Sequence, residues 1–405
     1  MLYAMYQARS DLLEPLRSFS HFIGQTLEAQ DSAVTDNLMV RHIIATCELF
    51  SKTKLTYQSP PFAIQEILDG NQLVSVTEER VFETPFASLI KFRKETISPK
   101  PKVLVVAPLS GHYATLLRAT VETLLLDHDV YITDWHNARD VPASAGRFGF
   151  DEYVEHLIRF MEFLGQDVHL LAVCQPCVQA LIAAAIMAED QNPCQPNSLT
   201  LMAGPIDTRI NPTKVNELAT DKPIDWFKSN LIATVPARYA GAGRRVYPGF
   251  VQLSAFMSMN LSRHVKAHAD MYGHIVFREA EKLKAARDFY DEYFAVLDLA
   301  EEFYIETVDR VFQQHLLPQG KMTYFDRPVR PEKIKKAALL TVEGERDDIC
   351  ALGQTMAAHD LCTSIRPYKK KHHMQAGVGH YGVFSGGKWT RQVYPIVRNS
   401  ILMNE

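Results

Sequence analysis

Apolar and polar positions follow three different rhythms along this chain. In residues 1 to about 50, Leu12, Leu13, Leu16, Phe19, Phe22 and Ile23, then Leu38, Ile43, Ile44 and Leu49, recur at three- and four-residue steps, which predicts helices. Over residues 72–92 the step shortens. Val74, Val76, Val81 and Phe82, then Phe86, Leu89 and Ile90, predict two or three strands of an antiparallel edge. A third rhythm begins at Lys102. Short unbroken apolar runs at 102–108, 129–135, 168–173 and 199–205 suit strands buried on both faces, and helical patterns over 116–126 and 150–164 separate them. Such βαβ repetition predicts an α/β fold with a mostly parallel sheet covered by helices.

The alternation stops between Ile206 and about Arg327. Aromatic-rich helical stretches such as 289–312 replace it, with a turn-like segment at Val246-Tyr247-Pro248-Gly249-Phe250. It resumes with a strand over 337–342. This interruption predicts a helical cap inserted over the carboxyl ends of the strands, where substrate enters an open α/β sheet. The expected organisation is an N-terminal helical and antiparallel-strand extension (1–100), a first part of the core (101–205), the inserted cap (206–330) and a second part of the core (331–405).

Chemistry concentrates at His169-Leu-Leu-Ala-Val-Cys174-Gln175-Pro176-Cys177, where an apolar strand ends on a cysteine and an Ala-rich helical pattern follows at once. A sharp strand-to-helix turn exposes one side chain at the positive end of the helix, the setting of a nucleophile elbow with a thiol in place of a hydroxyl. Helix-terminal amides favour the thiolate. Downstream, Asp347 and Asp348 follow a strand in a Gly-containing loop, and His380 stands in Gly377-Val-Gly379-His380-Tyr-Gly382. Nucleophile, acid, then histidine is the order of the α/β-hydrolase triad. The histidine accepts and returns a proton, and the carboxylate holds its tautomer. The residues alone leave Asp347 and Asp348 both open. An oxyanion hole needs two backbone donors. Gln175 is the candidate for one, and Ser110 or Leu109, in the loop after the first core strand, for the other.

Other readings compete. Cys174-Gln-Pro-Cys177 also has the C-x-x-C spacing of thiol–disulfide oxidoreductases, although those units carry the motif near the start of a much smaller domain. No second ligand pair has zinc spacing, and no G-x-G-x-x-G marks a dinucleotide site. A formal charge of -4 over 405 residues gives no reason to expect nucleic acid. No run reaches the roughly 18 apolar residues of a membrane span, and no secretory leader is expected. Six scattered cysteines suit a reducing cytoplasm.

Several longer motifs together carry a resemblance. They are Ser110-Gly-His-Tyr-Ala-Thr-Leu-Leu-Arg118, Asp127-His-Asp-Val-Tyr-Ile-Thr-Asp-Trp135, Ala172-Val-Cys-Gln-Pro176, Gly204-Pro-Ile-Asp-Thr-Arg209 with Asn211-Pro-Thr-Lys-Val-Asn216, Tyr247-Pro-Gly-Phe250, Val342-Glu-Gly-Glu345 with Asp347-Asp-Ile349, and Gly379-His-Tyr-Gly-Val-Phe-Ser-Gly386. Over nearly its whole length the chain resembles the intracellular poly(3-hydroxybutyrate) depolymerases, which are similar in fold to α/β-hydrolases and use a catalytic cysteine. The resemblance implies Cys174 as nucleophile, Asp347 as acid and His380 as base. It further implies ester hydrolysis of amorphous polymer through a thioester, no required cofactor or metal, and work at a polyhydroxyalkanoate granule surface in the cytoplasm. Coenzyme A is a candidate acyl acceptor for thiolysis. Polyhydroxyalkanoate synthases look similar, but their cysteine is glycine-flanked, whereas here Ala172 and Pro176 stand at those positions. Cys177 departs from the family pattern and is expected beneath the elbow as a bystander, with oxidative pairing to Cys174 the alternative. Phe250, Phe256, Met257 and Met259 are the candidates to face the polymer, with ordinary cap core the equal alternative.

Overall fold

The computed structural model describes residues 2–95, 99–259 and 261–405. Among them a nine-stranded sheet forms the centre, built from β1 (Glu66–Asp69), β2 (Gln72–Glu83), β3 (Ala87–Lys94), β4 (Lys102–Val106), β5 (Asp129–Trp135), β6 (Val168–Val173), β7 (Ser198–Met202), β8 (Ala338–Gly344) and β9 (Lys370–Gln375). The spatial order is β1-β2-β3-β5-β4-β6-β7-β8-β9. From β5 to β9 across this order every pairing is parallel, and β1 to β3 add an antiparallel edge through β3 on β5. This is the α/β-hydrolase fold.

The core strands are apolar on both sides because both faces are covered. On one face lie α4 (Phe150–Leu164) and α5 (Cys177–Glu189), packed on Leu104, Leu170 and Leu199. The other face is covered by α3 (Arg118–Leu124), Trp389 and α9 (Tyr394–Leu402), packed on Val103, Val105 and Leu171. In α4 the residues Phe150, Tyr153, Val154, Leu157, Phe160, Met161 and Leu164 are buried at three- and four-residue steps. Each such side chain contributes about 1.5–3 kcal/mol by leaving water. In α5 every side chain from Cys177 to Met187 is buried, and its run of alanines lets the helix lie close to the sheet.

Two N-terminal helices, α1 (Leu2–Glu28) and α2 (Leu38–Ser51), pack on each other and on the segment between β7 and β8. That segment carries α6 (Gly249–Met259), α7 (Leu261–Val276) and α8 (Ala280–Tyr293), and a small antiparallel ribbon of Ala233–Thr234, Arg245–Tyr247 and Leu299–Ala300. Two local expectations need correction here. The helix expected over 289–312 is broken after Tyr293, because Thr56 exchanges backbone hydrogen bonds with Phe294 and Val296, and Leu299 and Ala300 pair with Tyr247 and Val246. The turn expected at 246–250 is a ribbon strand running directly into α6. Both departures come from pairing partners distant in sequence.

Candidate active site

β6 delivers Cys174 to the carboxyl edge of the sheet between β4 and β7. Its φ of +67° is rare for a residue with a Cβ. Strain of this kind costs of order 1–3 kcal/mol and persists only where the surroundings enforce it. Here the Cys174 amide donates to the Met202 carbonyl at 2.8 Å, and the Cys177 amide donates to the Cys174 carbonyl at 3.1 Å as α5 begins. Gly204 makes the sharp turn sterically feasible. A Cβ on Gly204 would lie 2.2 Å from the Cys177 Cβ and 3.0 Å from the Cys174 carbonyl oxygen.

The parallel pairing of β8 and β9 sends two loops off the same end of the sheet, with Gly344 beside Gln375. One loop carries Asp347 and the other His380. His380 Nδ1 donates to Asp347 Oδ2 at 2.8 Å, both side chains being buried. The other carboxylate oxygen of Asp347 accepts the amides of Ile349 and Cys350 at 2.9 and 2.8 Å, which fixes its orientation. Asp348 is exposed and makes no hydrogen bond with His380 among the described residues. The geometry therefore sets Asp347 on the histidine, a choice the residues by themselves left open. Burial alone pushes the His380 imidazole down. The Cys174 sulfur and the Asp347 carboxylate outweigh it and hold the ring well above its ordinary range, so the imidazolium is favoured beside the sulfur. The Tyr381 and Phe384 rings meet His380 edge-on at 5.8 and 5.6 Å and shield it from water.

Cys174, Gln175, Ser110 and Leu109 together line a cavity of about 370 Å³. The backbone amides of Gln175 and Ser110 make no hydrogen bond among the described residues. The far walls come from the segment between β7 and β8 and are apolar, with Trp226, Phe227, Phe303, Tyr304 and Phe312. Cys177 is fully buried behind the elbow. Its thiol donates to the Ala172 carbonyl at 3.3 Å, and burial pushes its pKa well up. All six cysteines are free thiols. A neutral, enclosed sulfur of this kind is poorly placed for thiol exchange.

Sequence reading missed two supports. Glu343, 1% exposed, accepts the amides of Gly353, Thr355 and Met356 at 2.8–2.9 Å. This holds Thr355, whose hydroxyl accepts from the Gly204 amide at 2.8 Å and donates to the Gly204 carbonyl at 3.0 Å. A glutamate inside the apolar strand 338–344 was the available signal, because a buried carboxylate requires donors. Among the described residues no group of three or more His, Cys, Asp or Glu side chains converges as a metal site, and no helix is long and apolar enough to cross a membrane.

The residues expected to face polymer divide. Phe250 is 9% exposed, covered by Tyr6, which stacks on it at 4.1 Å. That expectation is corrected, since α1 occupies the face. Phe256 lines the Cys174 cavity, Met257 is half-buried, and the Met259 side chain lies outside the described residues. Exposed apolar side chains gather instead along α1, where Met5, Leu12, Phe19 and Phe22 are 61–76% exposed.

Residues 203–405 match the protein family described as PHB de-polymerase C-terminus. Among solved structures the chain is similar to a monoacylglycerol lipase of Paleococcus ferrophilus, at 12% identity and a TM-score of 0.43 over 76% of this chain and 97% of that one. It is also similar to a 2-hydroxy-6-oxo-6-phenylhexa-2,4-dienoate hydrolase of Rhodococcus sp. strain RHA1, at 13% identity and a TM-score of 0.43 over 81% and 99%. A third is a meta-cleavage product hydrolase of Pseudomonas fluorescens IP01, at 13% identity and a TM-score of 0.41 over 84% and 98%. No curated protein matches the chain.

Proposed function

The chain belongs to the PHB de-polymerase C-terminus family, and on that footing we propose that it is an intracellular depolymerase cleaving poly(3-hydroxybutyrate) esters with Cys174 as nucleophile. The observation that carries this reading is the buried His380–Asp347 hydrogen bond beside Cys174 at the mouth of an apolar cavity. Cys174 gives its thiol proton to His380 Nε2 and attacks the ester carbonyl carbon as the thiolate. The oxyanion is held by the amides of Gln175 and Ser110. As the tetrahedral centre collapses, the ester C–O bond breaks, and the leaving alkoxide takes the proton from His380 Nε2. Asp347 meanwhile keeps Nδ1–H in place. The thioester left on Cys174 is then attacked by water, which gives its proton to the same Nε2, and a 3-hydroxyacid or oligomer is released. A second thiol can replace water, so coenzyme A as acceptor yields a 3-hydroxyacyl-CoA. This chain's own residues supply the nucleophile, the proton relay and the oxyanion donors, so the reading requires no metal or cofactor.

The substrate is insoluble in water, so encounter takes place at a granule surface in the cytoplasm. Free thiols throughout support a reducing compartment. The exposed apolar side of α1 supports docking on an uncharged polyester, because Arg9 is its one charged neighbour along Met5, Leu12, Leu16 and Phe19.

The test is release of acid from amorphous granules by wild type, Cys174→Ala and Cys177→Ala. Release by wild type and Cys177→Ala but not by Cys174→Ala is expected. No release by wild type, or undiminished release by Cys174→Ala, rejects the reading and directs attention to acyl transfer and thiol exchange. Adding coenzyme A and searching for the acyl-CoA by mass spectrometry tests thiolysis; free acid alone rejects it.

A further inference from the structure

Beside the apolar cavity lies a second one, of about 680 Å³, of different character. Phe256 and Ile349 line both and stand between them. Tyr381, whose ring meets His380 edge-on, lines the second cavity only, so this cavity lies on the histidine side of the nucleophile. Aromatic rings of Phe289, Tyr290 and Tyr293 floor the space, and its charged lining side chains are Arg263, Lys214 and Asp348. Among the described residues no ion pair engages Arg263 or Lys214. Burial lowers the pKa of His264, also in the lining, and keeps it neutral.

The chemistry of a polyester assigns direction to these two spaces. When an ester within a 3-hydroxyacid chain is cut, the acyl part runs toward the hydroxyl end of the chain and carries no charge. The alcohol part that leaves runs toward the carboxyl end and terminates in a carboxylate. Its oxygen takes its proton from His380 Nε2 as the C–O bond breaks and the C–S bond to Cys174 remains. The leaving part must therefore lie on the histidine side.

Resting on the depolymerase reading, we infer that the Arg263 cavity is a leaving-group subsite that binds the terminal carboxylate of the chain, with Lys214 as a supporting cation. The apolar cavity takes the uncharged acyl part. The enzyme thus cuts short chains preferentially near their carboxyl end. A guanidinium matches a carboxylate with two parallel hydrogen bonds. Asp348, on the same lining, opposes binding of an anion, so the subsite is only moderately cationic and weakens with salt.

The experiment compares a soluble 3-hydroxybutyrate tetramer with its methyl ester, in wild type, Arg263→Gln and Arg263→Lys. The readout is the ratio of kcat/KM for the free acid to that for the methyl ester. The expected ratio in wild type is about tenfold, as one charge-assisted contact provides. It falls toward one in Arg263→Gln and in high salt, and Arg263→Lys recovers part of it. A ratio near one in wild type overturns the inference. So does a ratio that survives in Arg263→Gln, including the case where both substrates slow equally through damage to the fold. If wild type cuts neither compound, the depolymerase reading itself fails and the inference falls with it. Cleavage of both at equal rates rejects the subsite alone.

Discussion

Replacing Gly204 with alanine adds one methyl group at the tightest point behind Cys174, the proposed nucleophile. That Cβ would sit 2.2 Å from the Cys177 Cβ and 2.3 Å from its Sγ. Ordinary carbon contacts begin near 3.5 Å, so the two backbones must part by about 1.3 Å. Gly204 cannot easily retreat, because Thr355 holds its amide and its carbonyl and Glu343 holds Thr355. The movement therefore falls on the first turn of α5 and on Cys174, whose carbonyl accepts from the Cys177 amide. Overpacking of this kind costs about 1–3 kcal/mol of stability. Displacing a nucleophile by about 1 Å lowers the rate by about 10²-fold. Gly204→Ala should thus remain folded by circular dichroism, with a lowered Tm, and lose about two orders of magnitude in ester hydrolysis. Cys177→Gly removes both clashing atoms, so the double variant should regain much of the lost rate. Cys177→Ala keeps the Cβ and should not. A Gly204→Ala enzyme with wild-type rates, or a double variant no better than the single one, would refute the elbow geometry as the cause.

Asp347→Asn keeps an oxygen for the Ile349 and Cys350 amides but loses the charge that orients His380, so kcat should fall by about 10³–10⁴ with Tm little changed; a loss under tenfold contradicts that role. Asp298 is buried beneath α1, where it accepts from Tyr3 Oη and the Gly249 amide at 2.8 Å, near Arg139 and Asp140. Burial pushes its pKa from 3.8 up to about 6. A carboxyl raised in this way stabilises the fold fully below pH 4 and loses that contribution as pH climbs through 6, about 3 kcal/mol in all. Urea unfolding at pH 4 and pH 8 should therefore show Asp298→Asn gaining on wild type at the higher pH, and the opposite trend would reverse the assignment. Leu12→Glu combined with Phe19→Glu should lower granule turnover relative to soluble tetramer turnover by at least tenfold, read by co-sedimentation and acid release. An unchanged ratio removes α1 as the docking face.

Much of the architecture was legible in one dimension. The buried runs at 102–106, 168–173 and 338–342 are strands because unbroken apolar stretches need cover on both sides, and the structure covers them. Cys174 announced itself by position, since a residue between an apolar strand and an Ala-rich helix can only stand at a bend. Periodicity was less informative where burial depends on a distant partner. Between polymer face and cap core, Phe250 takes the core, under Tyr6 more than 240 residues away in the chain. Leu12 and Phe19 have the spacing of a packed helix face and yet meet no covering element.

The α/β alternation, the cysteine at the strand-to-helix bend and the chain order of Cys174, Asp347 and His380 are readable in one dimension, because each is a local pattern of burial or a linear order. Only packing shows that Asp347 and not Asp348 bonds His380, the residue the family resemblance also implies, that Gly204 must lack a side chain, and that two unlike cavities share Phe256 and Ile349. Those outcomes depend on which loops leave the same edge of the sheet and how closely they approach. Such distances arise only when segments remote in the chain pack against one another.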